Sequence, residues 1–370
     1  MRNILDVNLP KIKYNLGVVR DVIPEGCDII AVVKANAYGH GAKTVSHYLA
    51  EECGIKRFAV ASLYEGVKLR QSGLEGEILV LSYVDPAELE DALDNDITIS
   101  VISPEYAIVI SREAEKLGRT VKVHMKLNTG MNRVGFECKT FKNMMTIVGA
   151  YQLPNLEFTG IFSHFSSSDD MSSGAEPYTK LQLERFNKVI AYLSERGIDP
   201  GLKHISNSGA IGKYPEARFD AVRCGALMYG YNTAFDAKLP VVPAMEWKAV
   251  ISTVREIDFG DAVSYSRKFV AKGPVKIATL CIGYADGLPR CLTNKGTVII
   301  NGVKCRSVGA ICMDQMMVDV TDVPGEIHMG DTAVIIGHGQ SADDLAEMAE
   351  SCMHEILSSI SVRVERNYIY

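Results

Sequence analysis

The sequence predicts an α/β protein with an N-terminal (β/α)8 barrel of the TIM type and a C-terminal, mostly antiparallel β domain. Up to about residue 225, eight apolar runs alternate with helical patterns, which matches a closed barrel in both count and length. After about residue 240, short runs separated by Gly, Asp, Asn or Pro replace that alternation. We therefore expect a barrel domain over residues 1–240 and a β domain over residues 241–370.

The composition excludes several classes of function. The chain has 370 residues, 47% of them apolar, and a net charge of −6, so it offers no basic surface for nucleic acid. No apolar run is long enough to span a membrane, and the N-terminus lacks an apolar stretch of signal-peptide length. Nine cysteines without a C-x-x-C pair indicate reduced thiols, so we expect neither disulfides nor a metal site. We expect a cytoplasmic protein without a nucleic-acid or membrane partner.

Each barrel strand is predicted from an apolar run rich in β-branched residues, as in parallel strands covered on both faces. The predicted strands are Asp28–Val33, Arg57–Ser62, Glu77–Ser82, Ile97–Ile102, Val121–Leu127, Glu157–Phe162, Leu202–Ser206 and Phe219–Val222. Helical patterns fall between them at Gly41–Cys53, Leu63–Ser72, Pro86–Asn95 and Tyr178–Glu195. A doubly wound open sheet is the alternative, but no G-x-G-x-x-G follows the first strand.

The C-terminal region is predicted to contain seven strands, one helix and a final strand. The seven strands are Ala249–Ile257, Val263–Val270, Val275–Ile282, Thr297–Ile300, Val303–Val308, Met316–Val320 and Thr332–Gly337. A short helix is predicted over Asp343–His354, followed by one more strand.

The first candidate for chemistry is Lys34, which follows the apolar run D-I-I-A-V-V. An ammonium at the end of a buried strand is partly desolvated, which lowers its pKa and makes the amine a better nucleophile. The alternative is a lysine whose side chain extends into water. The residues at the other strand ends decide between the two.

Polar residues recur where the other barrel strands end, and in a closed barrel these positions share one mouth. They are Tyr38 in the loop after Lys34, Arg133 after the fifth strand, His164 after the sixth, Asn207 and Ser208 after the seventh, and Arg223, Gly225 and Ala226 after the eighth. The last two loops form the usual phosphate site of such barrels, and the first strand neighbours the eighth. A lysine beside a phosphate site suggests pyridoxal 5′-phosphate held covalently on Lys34.

Arg223 would then lie near the cofactor ring. Because an arginine cannot give up its proton, it would donate a hydrogen bond to the ring nitrogen without protonating it. That arrangement favours simple proton movement over deeper rearrangement of the substrate. His164 is interpreted as a hydrogen-bonding brace.

The motifs around these residues resemble those of the alanine racemase family. A-V-V-K-A-N-A-Y-G-H-G is similar to the cofactor-lysine signature of that family, and the resemblance continues through L-N-T-G-M-N-R-V-G-F, H-I-S-N-S, V-R-C-G-A-L-M-Y-G, V-S-Y-S, I-G-Y-A-D-G and I-C-M-D-Q. It implies a homodimer with shared active sites that interconverts L- and D-alanine, as in the supply of D-alanine for the cell wall.

The resemblance also implies a role for each matching residue. Lys34 would carry the cofactor and act as one base, and Tyr265 of the second subunit would act as the other. Arg223 would face the pyridine nitrogen and be held by His164. The remaining implied roles are phosphate binding by Tyr38, Ser208, Gly225, Ala226 and His354, carboxylate binding by Arg133 and the Met313 amide, and an entrance lined by Tyr284 and Asp314. Lys126 matches a lysine that is often carbamylated in the family.

Two positions depart from the pattern of the family. Ala310 stands where an arginine is common, and His354 stands where a tyrosine is common. Both positions lie along the substrate path by resemblance, so serine is the second candidate substrate, as in serine racemases of vancomycin-resistance systems. Three competing functions are those of a barrel-type amino-acid decarboxylase, a non-catalytic pyridoxal-phosphate carrier and a barrel for a different phosphorylated metabolite. The intact V-S-Y-S tyrosine argues against a decarboxylase, and the C-terminal domain argues against a carrier.

Overall fold

The computed structural model describes residues 2–234 and 236–370 of the chain. They form two compact units, which we call the barrel unit and the β unit. The barrel unit comprises residues 11–37 and 42–242. The β unit comprises the N-terminal segment through Pro10, residues 38–41 and the chain from Pro243 onward. Each unit is described by itself.

The barrel unit contains eight parallel strands in one sheet. In sheet order they are Ala221–Cys224, Asp28–Val32, Arg57–Val60, Glu77–Val80, Ile97–Val101, Val121–Asn128, Leu156–Phe162 and Leu202–His204. The last strand in chain order pairs with the first, Ala221 lying opposite Asp28. The backbone amides of Asp220 and Arg223 donate to the carbonyls of Lys203 and Ser206 and so close the ring. The barrel prediction is confirmed, and the doubly wound alternative is wrong.

Helices follow the strands as predicted, with boundaries that differ by a few residues. The α-helices of this part of the chain are Leu9–Val22, Ala42–Cys53, Leu63–Gln71, Leu89–Asp94, Pro104–Lys116, Phe141–Ala150, Ala175–Ser194 and Ser208–Ile211. The predicted helix Pro86–Asn95 is divided into the 3-10 helix Pro86–Glu88 and the α-helix Leu89–Asp94. A 3-10 helix also spans Pro215–Ala217, and a two-residue strand, Phe136–Glu137, pairs with the fifth barrel strand.

The eighth strand begins two residues later than predicted. Phe219 has a φ of 41°, a left-handed conformation that does not continue a strand. The carboxylate of Asp220 accepts hydrogen bonds from the backbone amide and the ammonium of Lys203. The strand also ends later than predicted, so Arg223 lies within the strand Ala221–Cys224 rather than after it.

The β unit contains a mostly antiparallel sheet and a segment that the sequence analysis assigned to the barrel domain. In sheet order its strands are Val303–Arg306, Thr297–Ile300, Thr332–Ile336, Met245–Ile257, Asn3–Asn8 and Glu365–Ile369. Two further strands, Val275–Leu280 and Met316–Asp319, extend it from Met245–Ile257. Asn3–Asn8 pairs antiparallel with Met245–Ile257 and parallel with Glu365–Ile369. The predicted boundary, which gave residues 1–240 to the barrel, is therefore corrected at the N-terminus.

Two other predicted elements of the β unit are interrupted. The predicted strand Val263–Val270 is a pair of two-residue strands, Ala262–Val263 and Phe269–Val270, joined by the 3-10 helix Tyr265–Arg267. The predicted helix Asp343–His354 is two helices, Ala342–Ala349 and Met353–Ser358, because Glu350 ends the first in a left-handed conformation. Two 3-10 helices, Tyr284–Asp286 and Arg290–Leu292, complete the unit. Among the described residues, no helix combines the length and apolar character that crossing a bilayer requires.

Candidate active site

Lys34 lies two residues beyond the first barrel strand and is partly buried. Its Nζ has no hydrogen-bond partner among the residues that the structure describes. Burial and the positive charge of Arg133 lower the pKa of Lys34, and the carboxylate of Glu65 acts in the opposite direction. A partly desolvated amine with a lowered pKa is a competent nucleophile, as the sequence predicted.

The backbone after Lys34 forms a left-handed turn. Ala35, Asn36, Ala37 and Tyr38 have φ angles of 51–55°, a region that residues with a side chain rarely occupy in succession. Glu65 holds the start of the turn, because its Oε1 accepts the Ala35 amide at 2.7 Å. Its Oε2 accepts the amides of Ala61 and Ser62 at the start of the next helix. One carboxylate thus fixes the loops after the first and second strands to each other.

Arg223 is the most heavily hydrogen-bonded side chain in this part of the barrel. Its Nη1 donates to Nδ1 of His204 at 2.9 Å and to the His204 carbonyl at 3.1 Å. Its Nη2 donates to Nδ1 of His164 at 3.1 Å and to the carbonyls of Ser163 and Ile205. Burial and the charge of Arg133 lower the pKa of Arg223 to about 9, so it remains a cation at neutral pH. The predicted contact between Arg223 and His164 is confirmed.

The mouth of the barrel is strongly cationic. Lys126 is buried and donates to the Leu127 carbonyl, and burial together with the charges of Arg223 and Arg133 lowers its pKa well below the ordinary value. Burial and the charge of Arg223 also lower the pKa of His164 well below its usual range. The charges of Arg223 and Arg133, which produce these shifts, favour an anionic ligand. The carbamylation of Lys126 that the resemblance implies stays a prediction.

Ser208 and the loop after the eighth strand form a group of hydrogen-bond donors suited to an anion. Asn207 caps the short helix that Ser208 begins, and the Ser208 Oγ accepts the amides of Gly225 and Leu227 at 3.2 and 3.4 Å. Because Oγ accepts on this side, its hydrogen is available to a ligand. The Ala226 amide donates to no acceptor within the described part of the chain. The structure therefore brings together Ser208 and the loop that contains Gly225 and Ala226, three of the predicted phosphate contacts.

These donors fit a phosphorylated aldehyde of the pyridoxal-phosphate type. The Lys34 amine can bond to the aldehyde, the Ser208 hydroxyl and the Ala226 amide can bind phosphate oxygens, and the cations balance the charge. The described residues contain no group of acidic, cysteine and histidine side chains that could hold a metal ion. The chemistry of this site is therefore that of an amine, a hydroxyl, backbone amides and fixed cations.

In the β unit, three predicted residues lie on one concave surface. Tyr265, Met313 and Asp314 line a cavity of about 820 Å³. Tyr265 is 70% exposed and is presented by a strained loop, because Ser264 and Ser266 on either side have φ angles of 63° and 58°. The Ser264 hydroxyl donates to the Ala310 carbonyl at 2.7 Å and fixes the loop. An exposed tyrosine on a fixed loop is better placed to contact a second surface than to pack into the core of its own unit.

A hydrogen-bonded framework supports the Met313 loop. The backbone amides of Tyr284 and Ala285 donate to the carbonyls of Cys312 and Met313. Gly283 permits this approach, since a Cβ there would lie 2.3 Å from the Cys312 carbonyl oxygen. Arg363 binds both Asp314, at 2.8 Å, and the buried Asp286, at 2.7 Å. Tyr284, Met313 and Asp314 are thus brought together, as the resemblance implied.

Tyr38 and His354 are neighbours in the β unit. Their ring centroids are 5.7 Å apart and the rings are inclined by 55°. The structure places the two predicted phosphate contacts of this unit side by side. Their contact with the cofactor stays a prediction.

Three residues that the structure places behind this site were not predicted from the sequence. Glu65 holds the Lys34 turn, and His124 and His204 connect Arg223 to the barrel interior. Both histidines lie within predicted apolar strands, where a polar side chain needs a buried hydrogen-bond partner. A histidine within an otherwise apolar predicted strand was therefore the signal by which His124 and His204 could have been found.

Comparison with known proteins gives one family for both units. The profile described as "Alanine racemase, N-terminal domain" matches residues 7–233, and the profile described as "Alanine racemase, C-terminal domain" matches residues 244–368. The chain is 39% identical over 371 aligned residues to the alanine racemase of Clostridium novyi (strain NT), covering 98% of this chain and 94% of that protein.

Solved structures give the same result. The alanine racemase of Clostridium difficile 630 superimposes with a TM-score of 0.93 at 35% identity, covering 100% of this chain and 96% of the other. The alanine racemase of Bartonella henselae with covalently bound pyridoxal phosphate superimposes with a TM-score of 0.88 at 28% identity, covering both chains completely.

Proposed function

This chain belongs to the alanine racemase family, and we propose that Lys34 carries its pyridoxal 5′-phosphate and shares with the partner subunit's Tyr265 the proton transfers that interconvert L- and D-alanine. The full-length match to alanine racemases supports alanine over serine as the substrate, and racemisation over decarboxylation or mere cofactor carriage. The covalently bound cofactor of the Bartonella henselae protein supports the same attachment here.

The observation that carries the proposal is the Lys34 amine, which is partly buried, has a lowered pKa and has no hydrogen-bond partner among the described residues. When bound, pyridoxal phosphate withdraws electrons from the substrate and weakens the Cα–H bond. Ser208, Gly225 and Ala226 would hold its phosphate, and by resemblance to the family Tyr38 and His354 would also contact it.

Arg223 limits the chemistry to proton transfer. Its guanidinium is fixed by two histidine rings and three carbonyls, and it retains its proton at neutral pH. At the cofactor ring nitrogen it would donate a hydrogen bond and keep the proton on its own side. A fixed donor that keeps its own proton would favour proton removal and return at Cα over deeper rearrangement.

Inversion at Cα requires a base on each face. The Lys34 Nζ would exchange the proton on one face. The partner subunit's Tyr265 would exchange it through Oη on the other. Cations beside a tyrosine favour the phenolate, which is the form that acts as a base. Arg133 and the Met313 backbone amide would hold the substrate carboxylate, and Tyr284 and Asp314 would line its entrance.

This assignment implies a homodimer in which each site draws on both subunits. The exposed Tyr265 and the concave surface around it support such an arrangement. All nine cysteines are free, which fits the reducing cytoplasm as the compartment where the small amino-acid substrate is converted.

Replacing Lys34 tests the cofactor assignment directly. The purified wild-type protein is expected to absorb visible light, and borohydride reduction is expected to fix the cofactor on the peptide that contains Lys34. Lys34→Ala is expected to lack the reducible chromophore and racemase activity, whereas the control Lys180→Ala, which alters an exposed lysine paired with Glu176, is expected to keep both. A reducible chromophore that persists in Lys34→Ala would refute the assignment.

A further inference from the structure

A continuous line of buried polar side chains runs through the barrel unit behind Arg223. Nη1 of Arg223 is 2.9 Å from Nδ1 of His204. Nε2 of His204 is 3.0 Å from Nδ1 of His124. Nε2 of His124 is 3.2 Å from Oε1 of Glu77, which is an electrostatic contact without the geometry of a hydrogen bond. Both imidazoles are fully buried, with exposed fractions of 0% and 1%.

The two ends of this line determine where its protons lie. The Arg223 guanidinium can only donate, so Nδ1 of His204 must accept and its proton must be on Nε2. That N–H points to Nδ1 of His124, which must also accept, so the proton of His124 is on Nε2 as well. Nε2 of His124 then faces the Glu77 carboxylate, which can only accept. Each ring is therefore a neutral imidazole in a single tautomer.

The barrel is built to hold these rings in place. The register between the fifth and sixth strands shifts at His124, which turns its side chain into the interior. Gly160 on the sixth strand leaves room for it, since a Cβ there would lie 2.6 Å from two atoms of the ring. Phe162 lies parallel to the His204 ring, with 5.0 Å between centroids, and has the cations of Lys126 and Arg223 over its face.

Glu77 terminates the line at the end of the barrel opposite the carboxyl ends of the strands. It begins its strand, and Arg57 on the neighbouring strand donates to its Oε2 at 3.1 Å. Burial raises the pKa of Glu77, but the His124 ring and the Arg57 charge outweigh it and lower the pKa overall. Glu77 also borders a cavity of about 500 Å³, which it shares with the exposed Glu75. The line thus joins an anion at one end of the barrel to a cation at the other.

We propose that Glu77 is the remote anionic partner of Arg223 and a positioning residue of the racemase, acting through His124 and His204 as neutral imidazoles that carry their protons on Nε2. The Arg223 guanidinium is held in one orientation. Its positive charge is balanced by Glu77 on the interior side of the barrel rather than by a group on the ligand side. The tautomers follow from the protein alone; the effect on the cofactor rests on the proposed contact between Arg223 and the cofactor ring.

The first test observes the two imidazoles in the wild-type holoenzyme. In protein labelled with 15N-histidine, the nitrogen resonances of His124 and His204 are expected to show a protonated Nε2 and an unprotonated Nδ1 at neutral pH. His124→Gln assigns the first set by its disappearance and the second by its shift. A proton on Nδ1 of either ring, or a doubly protonated ring, would overturn the proposal. This result is independent of turnover, so it stands or falls separately from the proposed function.

The second test measures the influence of the anion on the cofactor. Glu77→Gln keeps an acceptor oxygen for His124 and removes the charge, so we expect a shifted visible absorption of the bound cofactor and a kcat lower by about tenfold, with KM for alanine nearly unchanged. Glu75→Gln removes the same charge two residues away at the rim of the same cavity and is expected to change neither. Wild-type absorption and kcat in a folded Glu77→Gln holoenzyme would refute the role. If that variant fails to fold, the tautomers of the wild-type protein decide.

Discussion

At the scale of single residues, the site is governed by cations placed close together. Arg223 makes five hydrogen bonds to the barrel interior, so its charge is fixed in position. Lys34 and Lys126 both lie within electrostatic range of Arg133 and Arg223. Burial and the charges of these two arginines lower the pKa of both amines. Electrostatic crowding that would weaken an ordinary protein core here lowers the pKa of an amine and so favours its reactive, neutral form.

The pH dependence of cofactor attachment follows from these charges. Arg133 disfavours the cationic form of Lys34 and Glu65 favours it. When pyridoxal phosphate is added to cofactor-free protein and the growth of visible absorption is followed, Arg133→Gln is therefore expected to move the pH midpoint of the rate upward, and Glu65→Gln to move it downward. The control Arg112→Gln alters an exposed arginine that does not act on Lys34 and should leave the midpoint unchanged.

Arg133→Gln should also raise KM for alanine by roughly ten- to a hundredfold, because hydrogen bonds to charged groups contribute about 1.5–3 kcal/mol. Midpoints that move in the same direction in the Arg133 and Glu65 variants would contradict the electrostatic account of Lys34.

The residues that the sequence revealed and those that it concealed differ in a physical way. Lys34, Arg133, Ser208 and Arg223 stand near strand ends, where a barrel gathers its reactive groups, so their positions were predictable. His124 and His204 act from inside the strands. Their partners, Glu77 and Arg223, are distant in sequence, and only the closed barrel defines which atoms face each other.

At the scale of elements, the left-handed turn at Ala35–Tyr38 is the most unusual segment of the chain. It begins directly after Lys34, and the Asn36 side chain secures it further by accepting the Ala42 amide at 2.9 Å. A left-handed conformation costs about 1–2 kcal/mol for each residue that has a Cβ. The surrounding hydrogen bonds offset that cost and keep the lysine aimed in one direction.

Glycine substitution measures the strain in this turn. At Ala35, glycine relieves the left-handed cost of about 1–2 kcal/mol and adds about 0.5–1 kcal/mol of chain entropy to the unfolded state. The free energy of unfolding of Ala35→Gly is therefore expected to stay level or rise by up to about 1.5 kcal/mol. Ala191→Gly, an exposed site in the right-handed helix Ala175–Ser194, should lose about 1 kcal/mol.

Denaturant unfolding of both variants provides the measurement. An equal loss of stability at positions 35 and 191 would show that the turn carries no strain.

Helices and strands were predictable from the sequence where burial of their side chains determines the pattern of apolar residues. Parallel barrel strands are buried on both faces and read as continuous apolar runs, so all eight were found. The strand Asn3–Asn8 was missed because only six residues show its alternation and its partners lie at the far end of the chain. The interruption of Val263–Val270 follows from left-handed residues around Tyr265, which no propensity predicts for serine.

At the scale of the whole molecule, the proposed dimer makes one active site from two chains. Neither Lys34→Ala nor Tyr265→Phe should then be active as a homodimer. Mixed dimers combine both lesions in one site and leave the other intact. Random exchange of equal amounts makes half of the dimers mixed, so activity is expected to recover to roughly a quarter of wild type if the two sites act independently.

Racemase activity after subunit exchange, with the exchange itself confirmed by mass spectrometry of tagged subunits, provides the measurement. If Tyr265 served its own chain, every site would carry one lesion, and complete exchange would restore nothing. That outcome would remove the shared site from the proposal.

The pairing of Asn3–Asn8 with Glu365–Ile369 has a consequence for synthesis on the ribosome. Asn3–Asn8 leaves the exit tunnel long before its parallel neighbour Glu365–Ile369 is made. At about 5–20 residues per second, an emerging N-terminus must wait on the order of tens of seconds for that neighbour. The barrel strands, all made earlier, can assemble in the meantime. A chain that stops before Glu365–Ile369 would thus keep an unpaired strand edge at Asn3–Asn8, a surface that is prone to aggregation.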